Sequence, residues 1–302
     1  MQRLMRSVLF VPCDRIKMME KALKLPTDVV IFDLEDSVAP DKKVNALNDL
    51  TSFIVQHNLA AKQNYRNTKA QVAVRINCPH SSKWGKDDAH KIAQLGVDII
   101  VLPKVADIAA LDATTTMIED SLNFEKLKSG GIDLWVMIES AKGVANAVNI
   151  AAQSSVKGLI LGCNDLTKDL KAKTTRDRKP LQYSMSQCVI AARSYDKLVI
   201  DGVYMDIADK EGLEADAKLG REFGFDGKSL IHPDQVVIVN SVFSPSQEEL
   251  IYAKRVVAAW AEAAANGQSV AVLDGKLIEY LHVHEASALI RMHNQIESLR
   301  AS

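Results

Sequence analysis

Two carboxylates, Glu139 and Asp165, stand at the ends of two consecutive apolar runs of the sequence. If these runs are neighbouring parallel strands, their carboxyl ends meet at one edge and both side chains face the same site. Two carboxylates completed by water and substrate oxygens form a typical Mg²⁺ site, with Mn²⁺ as an alternative, because magnesium keeps part of its hydration shell. The other interpretation is structural: either side chain could cap the helix that follows, and Asp165 has a suitable position for this.

Arg75 ends an otherwise apolar run, Gln71–Asn77. A buried guanidinium needs an anion, and its planar fork matches a carboxylate in bidentate geometry. The sequence therefore predicts that Arg75 binds the carboxylate of a substrate. A salt bridge to Glu35 or Asp36 is the alternative, and the two are compatible because an acidic neighbour can orient the guanidinium.

Basic residues cluster around the first apolar run and the helix predicted after it, namely Arg6, Arg15, Lys17 and Lys21. A helix N-terminus with cations nearby suits phosphate groups, whereas the alternative is an ordinary solvated helix face. Lys104 follows Pro103 at the end of another run and is a further candidate to neutralise an anion or to act as an acid.

Polar residues follow every apolar run, and this is the pattern that locates the site. They are Asp33, Glu35 and Asp36; Arg75 and Asn77; Lys104; Glu139 and Ser140; Asn164 and Asp165; Asp201 and Asp206; Ser229 and His232. Charges that converge in this way are unfavourable unless they are paired or bound to a ligand. No Ser-His-Asp triad or nucleophile elbow is recognisable, and a structural role is the commoner one for a histidine such as His232.

Eight short runs rich in β-branched residues position these side chains. They are Ser7–Pro12, Asp28–Asp36, Gln71–Asn77, Asp98–Lys104, Asp133–Ser140, Gly158–Asp165, Leu198–Asp206 and Phe225–Pro233. Continuous apolar runs suit strands buried on both faces of a parallel sheet. Helical patterns lie between them at Met18–Leu25, Asp87–Leu95, Gly143–Ala152 and Glu211–Phe223. Eight βα units predict an α/β fold, a closed (β/α)8 TIM barrel; an open doubly wound sheet is the alternative, which the absence of a G-x-G-x-x-G loop disfavours.

The pattern changes after Pro233. A long helix is predicted over Gln247–Asn266, followed by a turn at Asp274-Gly275 and a second helix over Leu277–Leu299. We therefore expect residues 1–243 to form the barrel. Residues 244–302 would form a C-terminal helical extension that packs on the barrel or on a neighbouring subunit.

Composition excludes several classes of protein. The 302 residues are 47% hydrophobic and 25% charged, with a formal net charge of -1, so neither a nucleic-acid surface nor a membrane surface is indicated. No run approaches the length that spans a bilayer, and no secretion signal is recognisable. The four cysteines form no C-x-x-C pair and are expected to be reduced thiols. These features predict a cytoplasmic location.

Seven stretches in order resemble the citrate lyase β-subunit-like proteins of the HpcH/HpaI aldolase group, which includes malyl-CoA and citramalyl-CoA lyases. They are RSVLFVP (Arg6–Pro12), FDLEDSV (Phe32–Val38), VRIN (Val74–Asn77), LPK (Leu102–Lys104), IES (Ile138–Ser140), LGCNDL (Leu161–Leu166) and DGKSLIHP (Asp226–Pro233). Each stretch is weak alone, but their order and spacing are specific. The resemblance extends from Arg6 to about Gly275.

The resemblance implies a role for each matching residue. Glu139 and Asp165 would hold Mg²⁺, Arg75 would bind the carboxylate of a 2-oxo acid, and Asp33–Asp36 would lie beside the arginine. Lys17 and Lys21 would contact coenzyme A phosphates. The implied reaction is the reversible aldol cleavage of a 3-hydroxyacyl-CoA to acetyl-CoA and a 2-oxo acid.

Two departures from the family pattern stand out. Cys13 replaces the usual glycine after the first proline. A tail aspartate that acts as acid or base in a neighbouring subunit's site is replaced by Glu279, in Gly275-Lys276-Leu277-Ile278-Glu279. Glu279 is therefore the expected acid or base, with Asp36 second. Because the tail serves the adjacent subunit in this family, we expect a homo-oligomer, a trimer or a hexamer.

Three other functions remain open at this point. The first is a citrate lyase β subunit acting on a carrier-protein thioester. The second is a metal-dependent aldolase that does not use CoA. The third is a non-catalytic CoA-binding homologue.

Overall fold

A closed barrel of eight parallel strands forms the centre of the protein. The computed structural model describes residues 4–60, 68–121 and 132–301. The strands are β1 (Ser7–Pro12), β2 (Val29–Asp33), β3 (Gln71–Arg75), β4 (Ile99–Leu102), β5 (Asp133–Ile138), β6 (Val156–Leu161), β7 (Leu198–Asp201) and β8 (Gly227–Leu230). They pair in chain order, and β8 pairs with β1 to close the sheet. The predicted (β/α)8 barrel is confirmed, and the open sheet is wrong.

Helices follow the strands along the chain. They are α1 (Ile16–Ala22), α2 (Lys43–Gln56), α3 (Gly85–Leu95), α4 (Ile108–Ser121), α5 (Ala141–Ala145), α6 (Ala147–Ala151), α7 (Cys163–Asp169), α8 (Gln182–Arg193), α9 (Lys210–Phe223) and α10 (Gln235–Val242). Short 3₁₀ turns cover Pro40–Lys42 and Lys179–Leu181. The predicted stops at Gly96 and Gly224 are confirmed, and both glycines adopt the left-handed conformation that ends a helix.

One predicted helix is divided in two. The pattern over Gly143–Ala152 predicts a single helix, but α5 and α6 meet at Asn146, which leaves helical geometry with φ −99° and ψ 3°. The Asn146 amide donates to the Ala106 carbonyl at 2.9 Å, so its side chain binds the preceding loop at this break.

Alternate residues of the strands fill the barrel interior. The buried set is Val8, Val29, Ile31, Ala73, Ile99, Val101, Trp135, Met137, Ile160 and Ile200, with Met5 at its edge. Trp135 is fully buried, and a Cβ atom at Gly158 would lie 3.1 Å from its ring, so a side chain there would crowd the indole. This packed interior closes the barrel beneath its carboxyl-end mouth.

Several strands end earlier than their apolar runs. β2 was expected to reach Asp36 but ends at Asp33, whose carboxylate accepts the N–H groups of Glu35 at 2.9 Å and Ser37 at 3.2 Å. These bonds turn the backbone out of the sheet. β7 likewise ends at Asp201, so Asp206 lies in the loop after the strand and not at its end.

The chain divides into two compact units, Met5–Ser241 and a second unit from Val242 onwards that also includes Leu4. The second unit contains α11 (Gln247–Ala265), β9 (Ala271–Leu273), β10 (Lys276–Ile278) and α12 (Tyr280–Ala301). Ser246 and Glu249 form a capping box at the start of α11. The interior of this second unit consists of Ala253, Val256, Ala263, Ala271, Ile278 and Ala286.

A β-hairpin separates the two long helices of this unit. β9 and β10 are antiparallel, and the two-residue turn between them is Asp274-Gly275, with φ 52° and 74°. Positive φ at both positions is the conformation that a tight hairpin requires. The helix predicted from Leu277 was therefore wrong at its start, because Lys276–Ile278 is a strand. Val272 and Leu277 are opposite each other on the exposed face of the hairpin.

Within the three described ranges, no helix has the length and apolar character needed to cross a bilayer.

Candidate active site at the barrel mouth

A cavity of about 400 Å³ opens at the carboxyl ends of the strands. Seven of the predicted polar residues line it, and the charged ones are Asp33, Asp36, Arg75, Glu139 and Asp165. Asn164, Ser37 and Ser229 add further polar atoms, while the rest of the wall is largely apolar. The strand-end pattern therefore located the mouth correctly, although individual side chains differ from expectation.

Arg75 and Asp33 form a bidentate ion pair in this mouth. They are register partners on β3 and β2, and Nε and Nη2 of Arg75 donate to the two Asp33 oxygens at 2.6 and 2.5 Å. Nη1 lies 3.1 Å from Oε2 of Glu35. The predicted salt bridge to Glu35 is confirmed, the one to Asp36 is wrong, and Asp33 was missed as a partner. The family resemblance placed Asp33 beside the arginine only as part of Asp33–Asp36.

The electrostatics of this pair hold both residues charged. Burial alone would raise the pKa of Asp33, but the Arg75 guanidinium outweighs burial and the pKa of the carboxyl is lowered. Burial would lower the pKa of Arg75, but the Asp33 carboxylate has the larger effect and raises the pKa overall. The Phe10 ring lies 4.8 Å from the guanidinium carbon. Asp33 occupies the Nε–Nη2 edge and Glu35 lies 3.1 Å from Nη1, so two carboxylates of the chain itself orient the guanidinium.

Lys104 contacts three acidic residues of the mouth. Its backbone N–H donates to Oε1 of Glu139 at 2.5 Å, from a residue with φ 57°. Its ammonium forms an ion pair with Glu35 and lies 3.3 Å from Oδ1 of Asp36. Burial would lower the pKa of Lys104, but Glu35 raises it overall. Lys104 thus neutralises acids of its own chain, and it does not line the cavity.

Glu139 follows β5 and is 5% exposed. Burial, and next the charge of Glu35, raise the pKa of Glu139 to about 7 from its usual 4.5. Its carboxylate occupies the space beside Gly162, where an added Cβ atom would lie 2.8 Å from Oε2. Ser140 caps α5 by accepting the Gly143 N–H at 3.1 Å, so Glu139 has no capping role.

Asp165 lies in the first turn of α7 and lines the cavity. Its carboxylate forms no hydrogen bond or ion pair with any residue in the described parts of the chain. The helix begins at Cys163 after Gly162, so the alternative in which Asp165 caps it is wrong. A carboxylate in the first turn of a helix is stabilised by the helix dipole and keeps its oxygens available to a ligand.

The two carboxylates fit a magnesium ion. Glu139 keeps Oε2 beyond its bond to Lys104, and Asp165 has both oxygens available. Magnesium is commonly bound through one or two carboxylates, with water and substrate oxygens completing its octahedron. The described residues contain no cluster of three or more His, Cys, Asp or Glu side chains that could hold a metal ion.

The remaining predicted site residues lie outside the cavity. Lys17 and Lys21 are exposed on α1, one helical turn apart. Glu279 is exposed after β10 in the second unit, and its N–H donates to Nδ1 of His282 at 3.0 Å. Arg6 precedes β1, and its guanidinium forms a bidentate pair with the Asp28 carboxylate at 2.8 and 2.9 Å. Because its charge is paired in this way, Arg6 does not contribute to the predicted cluster of phosphate-binding cations.

A buried four-charge cluster behind the barrel was missed by the sequence analysis. Asp201 was expected at the mouth, but it faces outward and is fully buried. It forms ion pairs with Arg178 at 2.7 Å and with Lys228 at 2.8 Å, and Asp216 of α9 bonds the same two cations at 2.8 and 2.5 Å. The charges balance within the cluster, which ties α9 and the Lys179–Leu181 turn to β7 and β8.

A second buried network holds the loop after β2. Lys43 donates to the carbonyls of Leu34 and Glu35 at 2.7 and 2.6 Å and to the Asn77 side chain at 2.8 Å. Asn77 in turn donates to Asp88 at 2.7 Å. Asn77 was expected to face the mouth, but here it fixes the backbone of the residues that carry Glu35.

Comparison with known proteins is consistent with this geometry. Residues 6–233 match the family described as HpcH/HpaI aldolase/citrate lyase. The chain belongs to this family. The match ends at Pro233, so it covers the whole barrel mouth and not the second unit.

The similarity to individual relatives covers nearly the whole chain. It is 39% identical to a (3S)-malyl-CoA thioesterase of Cereibacter sphaeroides, over 98% of this chain and 97% of that one. It is 32% identical to the citrate lyase β subunit of Leuconostoc mesenteroides subsp. cremoris, over 97% of this chain and 94% of that one. A crystal structure of CitE from Mycobacterium tuberculosis with magnesium, acetoacetate and coenzyme A is 27% identical, with a TM-score of 0.76 over 95% and 97% of the two chains.

Proposed function

We propose that this family member is a Mg²⁺-dependent carbon–carbon lyase. Its reaction would be the reversible aldol-type cleavage of a 3-hydroxyacyl-CoA, of the malyl-CoA or citramalyl-CoA type, to acetyl-CoA and a 2-oxo acid. The observation that carries the proposal is the placement of Glu139 and Asp165 in one cavity with Arg75. A pair of carboxylates beside a fixed guanidinium suits a ligand that brings both a cation and a carboxylate.

Glu139 and Asp165 would hold the magnesium ion through their free oxygens. When bound, the ion would act as a Lewis acid that polarises the carbonyl of the 2-oxo acid. The backbone N–H of Lys104 holds Oε1 of Glu139, which leaves Oε2 for the ion. Metal binding would also remove the proton that burial favours on Glu139, because the ion supplies the missing positive charge.

Arg75 would bind the substrate carboxylate with the part of its guanidinium that Asp33 leaves free. Asp33 and Glu35 fix the plane of the fork, so the substrate meets a cation whose orientation is already set. The same positive charge stabilises the enolate that forms when the carbon–carbon bond breaks.

Glu279 is the proposed acid or base, and it would act in the site of a neighbouring subunit. Residues 244–302 would then be an extension that serves the adjacent copy of a homo-oligomer, a trimer or a hexamer. Support comes from the exposed apolar side chains around the hairpin, Val272, Leu277, Tyr280 and Leu281, which are 54–70% exposed. Asp36 is the second candidate because it is exposed and lines the cavity.

Lys17 and Lys21 would bind the phosphates of coenzyme A. They lie four residues apart on α1 and are both exposed, so their ammonium groups can reach one extended anionic ligand. The contribution of Lys104 to substrate binding would be indirect, since its ammonium is held by Glu35 and Asp36.

Hydrolysis of the thioester of a malyl-CoA-type substrate is the second candidate function. It is favoured by the identity to the Cereibacter sphaeroides thioesterases, which exceeds the identity to the citrate lyase β subunits. Both reactions use the same acyl-CoA and the same carboxylate subsite. They differ in the products, acetyl-CoA with a 2-oxo acid for the lyase and free CoA with a hydroxy acid for the thioesterase.

The deciding experiment is a product analysis with malyl-CoA and both citramalyl-CoA isomers, with and without Mg²⁺. Acetyl-CoA release that requires Mg²⁺ and is lost in Asp165→Ala would support the lyase, whereas free CoA would support the thioesterase. Activity that survives Glu279→Ala would transfer the acid or base role to Asp36. No turnover of any thioester would favour a carrier-protein thioester, as in a citrate lyase β subunit, or a non-catalytic role. Unchanged kinetics in a Lys17→Ala, Lys21→Ala variant would favour a CoA-independent aldolase.

A further inference from the structure

We propose that Met137 determines which 2-oxo acid the cavity accepts. Its side chain would favour an acid with only hydrogen on the carbonyl carbon, glyoxylate, over one with a methyl group there, pyruvate. This inference rests on the proposed function, because it assumes that Arg75 holds the carboxylate of a 2-oxo acid.

Met137 lies on the inner face of β5, between the barrel interior and the mouth. Trp135, Met137 and Glu139 alternate along the chain, so all three side chains point into the barrel. Met137 is 5% exposed and lines the cavity. Its position is therefore directly beneath the carboxylate proposed to hold magnesium.

The thioether of Met137 also contacts Arg75, with Sδ 3.7 Å from Nη1. Phe10 also lines the cavity, and its ring lies 4.8 Å from the guanidinium carbon. Nη1 is not bonded by Asp33, and it lies 3.1 Å from Oε2 of Glu35. A carboxylate bound there would place its neighbouring carbon against Met137 or Phe10.

The geometry of a 2-oxo acid determines which part of it meets these side chains. The molecule is planar, and the substituent on its carbonyl carbon lies on the same side as one carboxylate oxygen. The other carboxylate oxygen lies beside the carbonyl oxygen, and this second pair is the one that a divalent cation chelates. The oxygen left for Arg75 is therefore the oxygen beside the substituent, so a methyl group there would occupy the space next to Arg75.

Met137 has little freedom to withdraw from that space. Trp135 lies beneath it, fully buried against Gly158, so the thioether cannot move deeper into the barrel. Packed interiors relax only partly around an added methyl group, and one methylene changes discrimination by roughly 10- to 200-fold. The Phe10 ring also lies over the guanidinium carbon at 4.8 Å and limits the space further.

The test compares Met137→Ala with the wild type. Dissociation constants for glyoxylate and pyruvate would be measured by calorimetry with Mg²⁺ present, and kcat/KM for malyl-CoA and citramalyl-CoA in parallel. We expect the wild type to prefer glyoxylate and malyl-CoA. The alanine variant should shift both ratios toward the methyl-bearing ligand by about 10-fold or more.

Three further variants keep this test interpretable. Met137→Leu conserves volume and should leave the ratios nearly unchanged. Met185→Ala truncates a fully buried methionine of α8 outside the cavity, so it should lower stability without changing either ratio. Met137→Val is the milder truncation if the alanine variant does not fold, and it should shift the ratios in the same direction.

The outcomes separate this inference from the function on which it rests. If both acids bind but Met137→Ala and Met137→Val leave their ratio unchanged, the role of Met137 is wrong and the proposed function stands. If the wild type binds neither acid and cleaves neither thioester, both are wrong. A wild type that already prefers pyruvate would also overturn the inference.

Discussion

Gly162 faces the side chain of Glu139 so closely that a Cβ atom at position 162 would lie 2.8 Å from Oε2, and nearer still to the Glu139 Cβ. The missing side chain at the end of β6 is thus the space that the carboxylate at the end of β5 occupies. The position of the proposed metal ligand depends on a glycine that directly follows the adjacent strand as much as on its own backbone.

Gly162→Ala should displace Glu139 and weaken Mg²⁺ binding. A displacement of about 1 Å at a catalytic group can lower turnover by about 100-fold, so we expect a loss of that order in kcat/KM. Mg²⁺ titrations of the purified variant would measure the binding. Gly96→Ala is the control for stability alone, since Gly96 has φ 69° and open space around its Cα. Equal Mg²⁺ affinity in Gly162→Ala and the wild type would contradict the prediction.

Arg75→Lys should retain the charge and lose the activity. A single ammonium cannot bond both Asp33 oxygens and a substrate carboxylate, so we expect kcat/KM to fall by about 100-fold or more, chiefly through KM for the 2-oxo acid. Arg6→Lys is the matched control, because Arg6 makes the same bidentate contact with Asp28 at the other end of the barrel. It should lower stability and leave KM unchanged; equal effects on KM in both variants would argue against a substrate-binding role for Arg75.

Glu139 should make the stability of the metal-free protein depend on pH. Its pKa is about 7 in the folded protein and 4.5 ordinarily, so the folded state binds the proton more tightly. The stabilisation from the protonated form is present below pH 4.5 and is lost as the pH rises through 7. Glu139→Gln, which imitates the neutral form, should therefore be more stable than the wild type at pH 8, by up to about 3 kcal/mol, with the difference vanishing near pH 4.5.

Urea denaturation in a chelator at pH 5 and pH 8 would measure this difference. A second measurement adds Mg²⁺ at pH 8, which should raise the Tm of the wild type and not that of Glu139→Gln. The same stability difference at both pH values would show that the proton on Glu139 is not its source.

Lys228→Met should destabilise the protein without touching the mouth. It removes one of two buried cations and leaves Asp201 and Asp216 undercompensated, which costs about 3–5 kcal/mol. Thermal denaturation should show a Tm lower by about 10 °C. Lys218→Met is the control, because that lysine of α9 is 60% exposed and its pair with Glu214 contributes at most about 1 kcal/mol. Adding Asp216→Leu to Lys228→Met should recover part of the loss.

The sequence was sufficient to predict the barrel and the residues at its mouth. Residues that end a parallel strand converge whatever the loops do, which is why Arg75, Glu139 and Asp165 were found. The same pattern misplaced Asp201, because a four-residue strand buried on both faces shows no polar alternation from which to tell its inner from its outer side. Asp33 was missed as the partner of Arg75 since strand register is not visible in either run alone.

The proposed role of Glu279 depends on how subunits are arranged. Neither the pattern of strands in the sequence nor the structure of a single chain gives this arrangement. The second helix of the tail was predicted to begin at Leu277. The Asp274-Gly275 turn prevents this start because it pairs Lys276–Ile278 with β9. Tertiary pairing decided the conformation where local periodicity was ambiguous.

The hairpin also constrains how this part of the chain can change length during evolution. Its turn has two residues and each strand has three, so one residue inserted into β10 would exchange the two faces. Ile278 would then point to water, Leu277 would point into the packed interior, and Glu279 would move to the opposite side. Descendants of this sequence should therefore tolerate insertions before β9 or within α12 far better than within the turn and β10, where the spacing of five residues, 274–278, must be kept.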